Sequence, residues 1–212
     1  MRKLFLLCIL VILAPSLAGC GGSTEARPVV TAEILSDHPA DGDIAFDPVR
    51  QTFTITQGVD TLFFGIDDLD PFIPEYRAFL TFPLDGSTGH DAVPSSATIV
   101  SATLEVFINE VSFALIVPTL LDLVVYPISR LRAEDYDSPP LLTQAIDLFA
   151  SDQANFVSID ITFLMREAQR LGLADFQVRF LLDLAADFGF VGIENLPTVS
   201  ITAPLLIVEY RF

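Results

Sequence analysis

The sequence predicts an all-β chain, an antiparallel β-sandwich of jelly-roll type with one short helix near residues 163–171. Three observations carry that prediction. Apolar and polar residues alternate with period two over most of the chain after Gln51. Clusters of turn-forming residues separate the alternating runs, and only one stretch has helical spacing. Alternation marks strands with one face in a core and the other in water. A single short helix among roughly eight to ten strands cannot supply the crossovers that a parallel sheet needs.

The elements follow in chain order. Phe53 and Ile55 alternate with Thr52, Thr54 and Thr56, and Tyr76, Ala78, Leu80 and Phe82 alternate with Arg77, Phe79 and Thr81. The clearest strand puts Val100, Ala102, Leu104, Val106 and Ile108 on one face, opposite Ser101, Thr103 and Glu105. Val157, Ile159 and Ile161 form another. Phe176, Val178, Phe180, Leu182 and Leu184 oppose Gln177, Arg179 and Asp183, and Leu206, Val208 and Tyr210 close the chain. Turns are expected at Asp85-Gly86-Ser87-Thr88-Gly89 and Asp137-Ser138-Pro139-Pro140. The helix is placed by Leu164, Ala168 and Leu171 at i, i+4 and i+7, with Gly172 where a left-handed cap belongs.

The first nineteen residues read as an export signal. Arg2 and Lys3 form a positive start, Leu4 to Ala14 an apolar run, and Pro15-Ser16 a break. Leu17, Ala18, Gly19 and Cys20 then resemble a bacterial lipobox. That resemblance implies cleavage before Cys20, a diacylglycerol on its thiol and a membrane partner reached through lipid. Each buried CH₂ contributes about 0.8 kcal/mol, so two or three chains on one residue hold far better than one. Gly21 stands where inner-membrane retention usually places Asp, which implies the outer membrane in a host with two. The expected division is a signal peptide at 1–19, a lipidated flexible tether at 20–45 beginning Gly21-Gly22-Ser23 and able to lend a strand near Val29–Ile34, and a sandwich domain at 46–212.

Charge narrows the function. The chain has 28 acidic and 11 basic residues, a formal net charge of −17 and no Trp. Loss of residues 1–19 removes two bases and no acid, leaving 28 against 9, or −19. Nucleic acid is excluded as a partner, because phosphates need a basic face. The mean hydropathy of +0.55 excludes a disordered chain. Cys8 leaves with the signal and Cys20 carries lipid, so no disulfide or cysteine metal site is expected.

Several stretches resemble the DNRLRE-type jelly-roll domain, which is related to carbohydrate-binding modules of secreted bacterial proteins. They are RAFLTFPL at 77–84, ATIVSATLEVFIN at 97–109, VSIDITFLMREAQR at 157–170, DFQVRFLL at 175–182, and Glu194 before PLLIVEY at 204–210. The resemblance spans roughly Asp41 to Tyr210 and implies a jelly roll used for binding. Such domains often carry Trp where this chain has Leu131, Tyr136 and Arg170.

The candidate sites are few. Tyr136, in the polar loop RAEDYDSPP, is the expected exposed ring for a sugar. Asp67, Asp68 and Asp70, the first place to look for a structural calcium, lie near Glu75; Asp41, Asp43 and Asp47 form a second acidic group. Glu105, Asp183 and Glu209 point outward and are the carboxylates a glycosidase or polysaccharide lyase would use. His90-Asp91 near Ser87 reads as a plain loop rather than a nucleophile with its base. Residues 111–121, VSFALIVPTLL, read either as a core strand with Pro118 at an edge or bend, or as an exposed apolar patch. The expected function is a lipid-anchored envelope protein with a non-catalytic sandwich for binding, adhesion or scaffolding, its partner a polysaccharide or an envelope protein. The alternative is a carbohydrate-active enzyme.

Overall fold

The computed structural model describes residues 27–88, 91–183, 188–196 and 201–212. Twelve antiparallel strands are joined into one curled sheet: β1 (Val30–Leu35), β2 (Gly42–Asp47), β3 (Thr52–Gln57), β4 (Thr61–Ile66), β5 (Glu75–Pro83), β6 (Thr98–Ser112), β7 (Ile116–Leu123), β8 (Leu142–Phe149), β9 (Asn155–Asp160), β10 (Asp175–Leu182), β11 (Gly189–Glu194) and β12 (Leu205–Arg211). A single α-helix, α1 (Thr162–Leu171), stands between β9 and β10. The fold is the all-β sandwich expected from the alternation.

Pairing defines the two layers. In one, β9 and β12 flank β6, and β1 extends the sheet from β12. In the other, β2 and β10 flank β5, with β7 and then β8 beyond β10. The bridge between them is β11 with β4: β11 pairs the end of β6, and the end of β4 pairs the start of β5. Gly65, at φ +99°, and Gly189 lie so close that a side chain on Gly65 would strike the Gly189 carbonyl. Two glycines thus let the sheet turn its corner.

Leu62, Phe64, Leu80, Phe82, Leu104, Val106, Phe176, Val178, Phe180, Val191, Leu206 and Val208 bury the shared core between the layers. Two irregularities bend β6. Its pairing with β12 steps from Ser101 to Ile99, and its pairing with β11 steps from Glu110 to Ile108. Val100 and Asn109 are therefore the extra residues of two bulges, and Ile99 rather than Val100 faces the core. Helix α1 buries Leu164, Met165 and Ala168 and ends at Gly172 in the left-handed conformation, as its sequence predicts.

The layer of β5 and β10 is covered on both faces, which period-two alternation did not foresee. Its outer side carries a second cluster of Ile44, Phe79, Val124, Tyr126, Leu131 and Tyr136. The segment between β7 and β8 lies over it, tied down by polar groups projecting from the strands. Gln177 closes on the backbone of Tyr126, accepting its N–H at 3.1 Å and donating to its carbonyl at 3.0 Å. Arg179 donates to Asp122 at 2.6 Å and to the carbonyls of Asp135 and Tyr136 at 3.1 and 2.7 Å. Arg77 donates to the same Tyr136 carbonyl at 2.5 Å and to Asp137 at 2.8 Å.

Three expectations need correction. Of the tether expected over 20–45, residues 30–35 and 42–45 are strand, and Ile34 and Ile44 are fully buried. The domain therefore starts at β1 rather than at residue 46, because the alternation of Ala32, Ile34 and Ser36 serves the core. Strand β3 was expected to be half-buried, but Phe53 and Ile55 are 40% and 36% exposed, since β3 is an edge strand paired only with β2. Residues 111–121 divide between the two readings: Val111, Val117 and Leu121 are core, whereas Phe113, Leu115 and Ile116 are exposed.

Asp122 and Arg179 are both buried. Removing one partner of such a pair strands a charge, so Asp122→Ala should destabilise the protein by about 3–5 kcal/mol in urea unfolding. Adding Arg179→Met should cost less than the sum of the single substitutions, by roughly 1–3 kcal/mol of coupling. Additive costs would mean that the pair does not act as a unit.

Candidate functional site

A cleft of about 210 Å³ opens between the β2–β3 hairpin and the 67–74 loop, lined by Asp43, Asp47, Arg50, Asp70, Phe72 and Tyr76 together with Thr54 and Thr56. Strand β2 places Asp43, Ala45 and Asp47 on one face, since successive side chains alternate. Strand β3 contributes Thr54 and Thr56 from across the hairpin. The 67–74 loop is shaped by its own carboxylates: Asp67 accepts the Leu69 N–H at 3.0 Å, and Asp70 accepts the Phe72 N–H at 2.8 Å.

Each acid in the cleft has a distinct environment. Asp43 is buried, accepts the Thr56 hydroxyl and takes the Phe63 N–H at 3.0 Å. Burial nevertheless dominates and raises its carboxyl above the ordinary range. Asp47 accepts the N–H groups of Val49 and Arg50 at 2.8 and 2.9 Å, and the Arg50 N–H is the main reason its carboxyl is held low. Tyr76 is raised by burial and then by the charges of Asp43, Asp67 and Asp70. Arg50, the one base in the lining, bonds Asp47 at 3.2 Å and lies over the Phe72 ring at 3.5 Å. The floor therefore accepts hydrogen bonds, and the mouth carries one cation on an aromatic face.

The candidates named from sequence are placed differently. Tyr136 is 3% exposed, so it is not the open ring expected of it. Its ring packs against Phe46 and Phe53 at 5.9 and 5.3 Å and under the Arg77 guanidinium at 3.7 Å, because two arginines hold its carbonyl inward. Asp67 and Asp70 cap turns, Asp68 is exposed beside them, and only Asp70 lines the cleft. Among the described residues, no three His, Cys, Asp or Glu side chains gather as a metal site.

The outward carboxylates do not converge either. Glu209 lies opposite Ser101, four residues along β6 from Glu105, which is about 13 Å at strand spacing and beyond a glycosidase pair. Asp183 follows β10 in the other layer, its N–H on the Pro118 carbonyl at 2.9 Å. Asp91 accepts the Glu33 N–H at 3.4 Å, and Asp85 accepts the Ser87 N–H at 2.9 Å. His90, together with Leu17, Ala18, Gly19 and Cys20, lies outside the described residues. The cleft joins Asp43 and Asp47 of one acidic group with Asp70 of the other, a meeting that no spacing in the sequence announces. The signal that was available is the pair of strand-face residues Asp43 and Asp47, hidden by the expectation of a tether.

A second hollow, of about 280 Å³, lies beneath the end of α1 between Leu84, Val93, Met165 and Leu173 and is mostly apolar. Of its polar lining, Asp85, Ser95 and Gln169, the Gln169 amide is taken by the Pro94 and Ala97 carbonyls. No protein-family model matches this chain, and no curated protein matches it.

The raised carboxyl of Asp43 makes stability depend on pH. The unfolded chain ionises this group near pH 4 and the folded chain only at higher pH, so stability is full below pH 4 and falls as pH rises through the native value. Asp43→Asn should flatten that part of the curve, read as the urea midpoint between about pH 4 and 7. An unchanged slope would place the pH dependence elsewhere.

Proposed function

We propose that this chain is a lipid-anchored envelope protein whose sandwich is a non-catalytic binding domain, with the cleft between β2, β3 and the 67–74 loop as its ligand site. The observation that carries the reading is the polarity of the sandwich. Strand β1 starts beside Tyr210 and Ile99, at one end of β6. The hairpin tip at 48–51 and the 67–74 loop lie at the other, where Phe46 and Ile66 both meet Glu75. An anchor at Cys20, leading into β1, would therefore hold the cleft away from the lipid surface. The lipobox-like run Leu17-Ala18-Gly19-Cys20 and the resemblance to DNRLRE-type jelly-roll domains support the anchor and the binding role.

The lining suits a ligand rich in donors. Three carboxylates, two threonine hydroxyls and Tyr76 accept hydrogen bonds, and the net charge rejects anions. A neutral polysaccharide, whose hydroxyls donate to carboxylates, meets both conditions. A volume near 210 Å³ is below that of pockets for drug-sized ligands and fits one sugar ring of a longer chain.

A specific observation favours the enzymatic alternative. Asp43 is raised and Asp47 lowered within one cleft, the pattern of an acid beside a carboxylate. Against it, Asp47 is committed to the N–H groups of the hairpin turn, and Asp43 to the Thr56 hydroxyl and the Phe63 N–H of β4.

Titration calorimetry of the full chain against neutral polysaccharides tests the site. Binding should weaken at least about tenfold in Asp70→Asn and in Thr54→Ala, the loss of one or two ligand hydrogen bonds. Turnover that vanishes in Asp43→Asn or Asp47→Asn would replace the binding reading with the enzymatic one. The anchor is tested separately: Cys20→Ser should move the protein from the membrane fraction to the soluble one, and continued attachment would remove lipid as its cause.

A further inference from the structure

The end of the sandwich that carries the 67–74 loop has a second feature. The β6–β7 turn exposes Phe113, Leu115 and Ile116 at 38%, 82% and 50%. Ile116 pairs with Phe149, which is 43% exposed, and the Ala150 N–H closes on the Leu115 carbonyl. Phe190 pairs with Ser112, so Phe188, 55% exposed, is set beside the same turn. Five large apolar side chains thus share one tip, and Leu69 and Ile73 of the adjoining loop are exposed as well.

Backbone conformation singles out the same end. The described non-glycine residues with positive φ are Gln51, Ile73, Phe113 and Ala154, at 57°, 50°, 70° and 59°. All four lie in the loops 48–51, 67–74, 113–115 and 150–154 that cap this end. Glycine or asparagine would relieve such positions, and an isoleucine or phenylalanine there is strained. Phe113 packs on Phe190 at 6.3 Å yet stays 38% exposed, and Ile73 stays 48% exposed, so neither gains full burial in exchange for its backbone strain.

Charge selects the occupant. Glu110, Asp147, Asp152 and Asp183 flank the tip, and the sequence carries no Lys or Arg from 105 to 129 or from 142 to 165. An anionic bilayer would meet repulsion, and so would a second copy presenting the same acids. We propose that this tip docks a protein whose contact face is apolar at its centre and basic at its rim. The proposal concerns a surface separate from the cleft and does not need the cleft to bind sugar.

Photocrosslinking from the tip tests this on the full chain in washed envelopes, with Leu115→benzoylphenylalanine as the probe. The expected product is an adduct to another protein whose crosslinked peptide is net positive, reduced at least fivefold at about 0.5 M salt, where charges are screened beyond a few ångströms. Phe113→Gly in the same chain should lower the yield at least fivefold while leaving the melting temperature unchanged or higher, since glycine relaxes the turn. Adducts to lipid, to a second copy or to a net-negative peptide would overturn the proposal. So would the absence of any adduct, or a Phe113→Gly chain that melts lower because the ring was holding the fold together.

Discussion

Two guanidinium groups under the segment between β7 and β8 organise the outer half of this molecule. Arg77 and Arg179 stand on neighbouring strands, β5 and β10, and both donate to the carbonyl of Tyr136. Both guanidiniums are largely buried, so each charge needs partners with good geometry, and the buried Asp122 together with Asp137 and Glu75 at the solvent edge supply them. An apolar replacement of the Asp122–Arg179 pair could be as stable, because burying charge costs about as much as the pair regains. What the guanidiniums add is direction: a carbonyl bonded from two strands can sit in one place only. The consequence reaches the cleft through a chain of contacts. Tyr136, fixed by its carbonyl, packs on Phe46 and Phe53, which stand opposite each other on β2 and β3. The hairpin that carries Asp43, Asp47, Thr54 and Thr56 therefore takes its position from arginines on the covered strands behind it.

The same layering gives the sandwich two unlike ends. Where β1 and β12 begin and finish, the Arg27 side chain holds the Phe212 carbonyl, and α1 lies against β6 with Gln169 and Arg166 on the carbonyls of Ala97, Ile99 and Val100. Polar side chains there satisfy backbone groups and close the core. At the other end the layers are joined by β4 and β11, whose glycines permit a sharp crossing. With the corner closed by backbone, the loops above it carry little of the core and are free to present side chains outward. Among the described residues, the non-glycine positions with positive φ all collect at this end, together with the exposed Phe113, Leu115 and Ile116.

Much of this was legible along the chain. Period-two alternation located β5, β6, β9, β10 and β12, because each has one face in the shared core, and Gly172 marked the end of α1. Alternation failed where its premise failed. On β5 and β10 the second face is buried too, so Arg77, Gln177 and Arg179 read as water-facing although they are anchors. On β3 neither face enters the shared core, and Phe53 and Ile55, 40% and 36% exposed, mimicked a core strand. On β6 the bulge at Val100 shifted the phase by one residue. The cleft was unreadable for a related reason: its acids come from β2 and from a loop some twenty-five residues on, and only the pairing of β2 and β4 with β5 brings them together. Tyr136 misled because its loop is polar in composition, yet the loop's backbone carbonyls turn inward toward two arginines.

The basic composition then acquires a physical meaning. Beyond residue 19 every Lys or Arg is arginine, and the structure uses three of the nine in ways an ammonium group cannot. Arg179 reaches two carbonyls and a carboxylate, Arg77 a carbonyl, two carboxylates and an aromatic face, and Arg166 two successive carbonyls of β6. Each needs a planar fork with several donors, and lysine offers one point of charge. Arg50, Arg132 and Arg170 add pairs with acids three residues away or nearer. These six arginines are thus spent inside the fold or against local acids, and most of the carboxylates, on strands and loops alike, have no arginine partner. The formal net charge of −17 is therefore carried largely by carboxylates that no arginine neutralises.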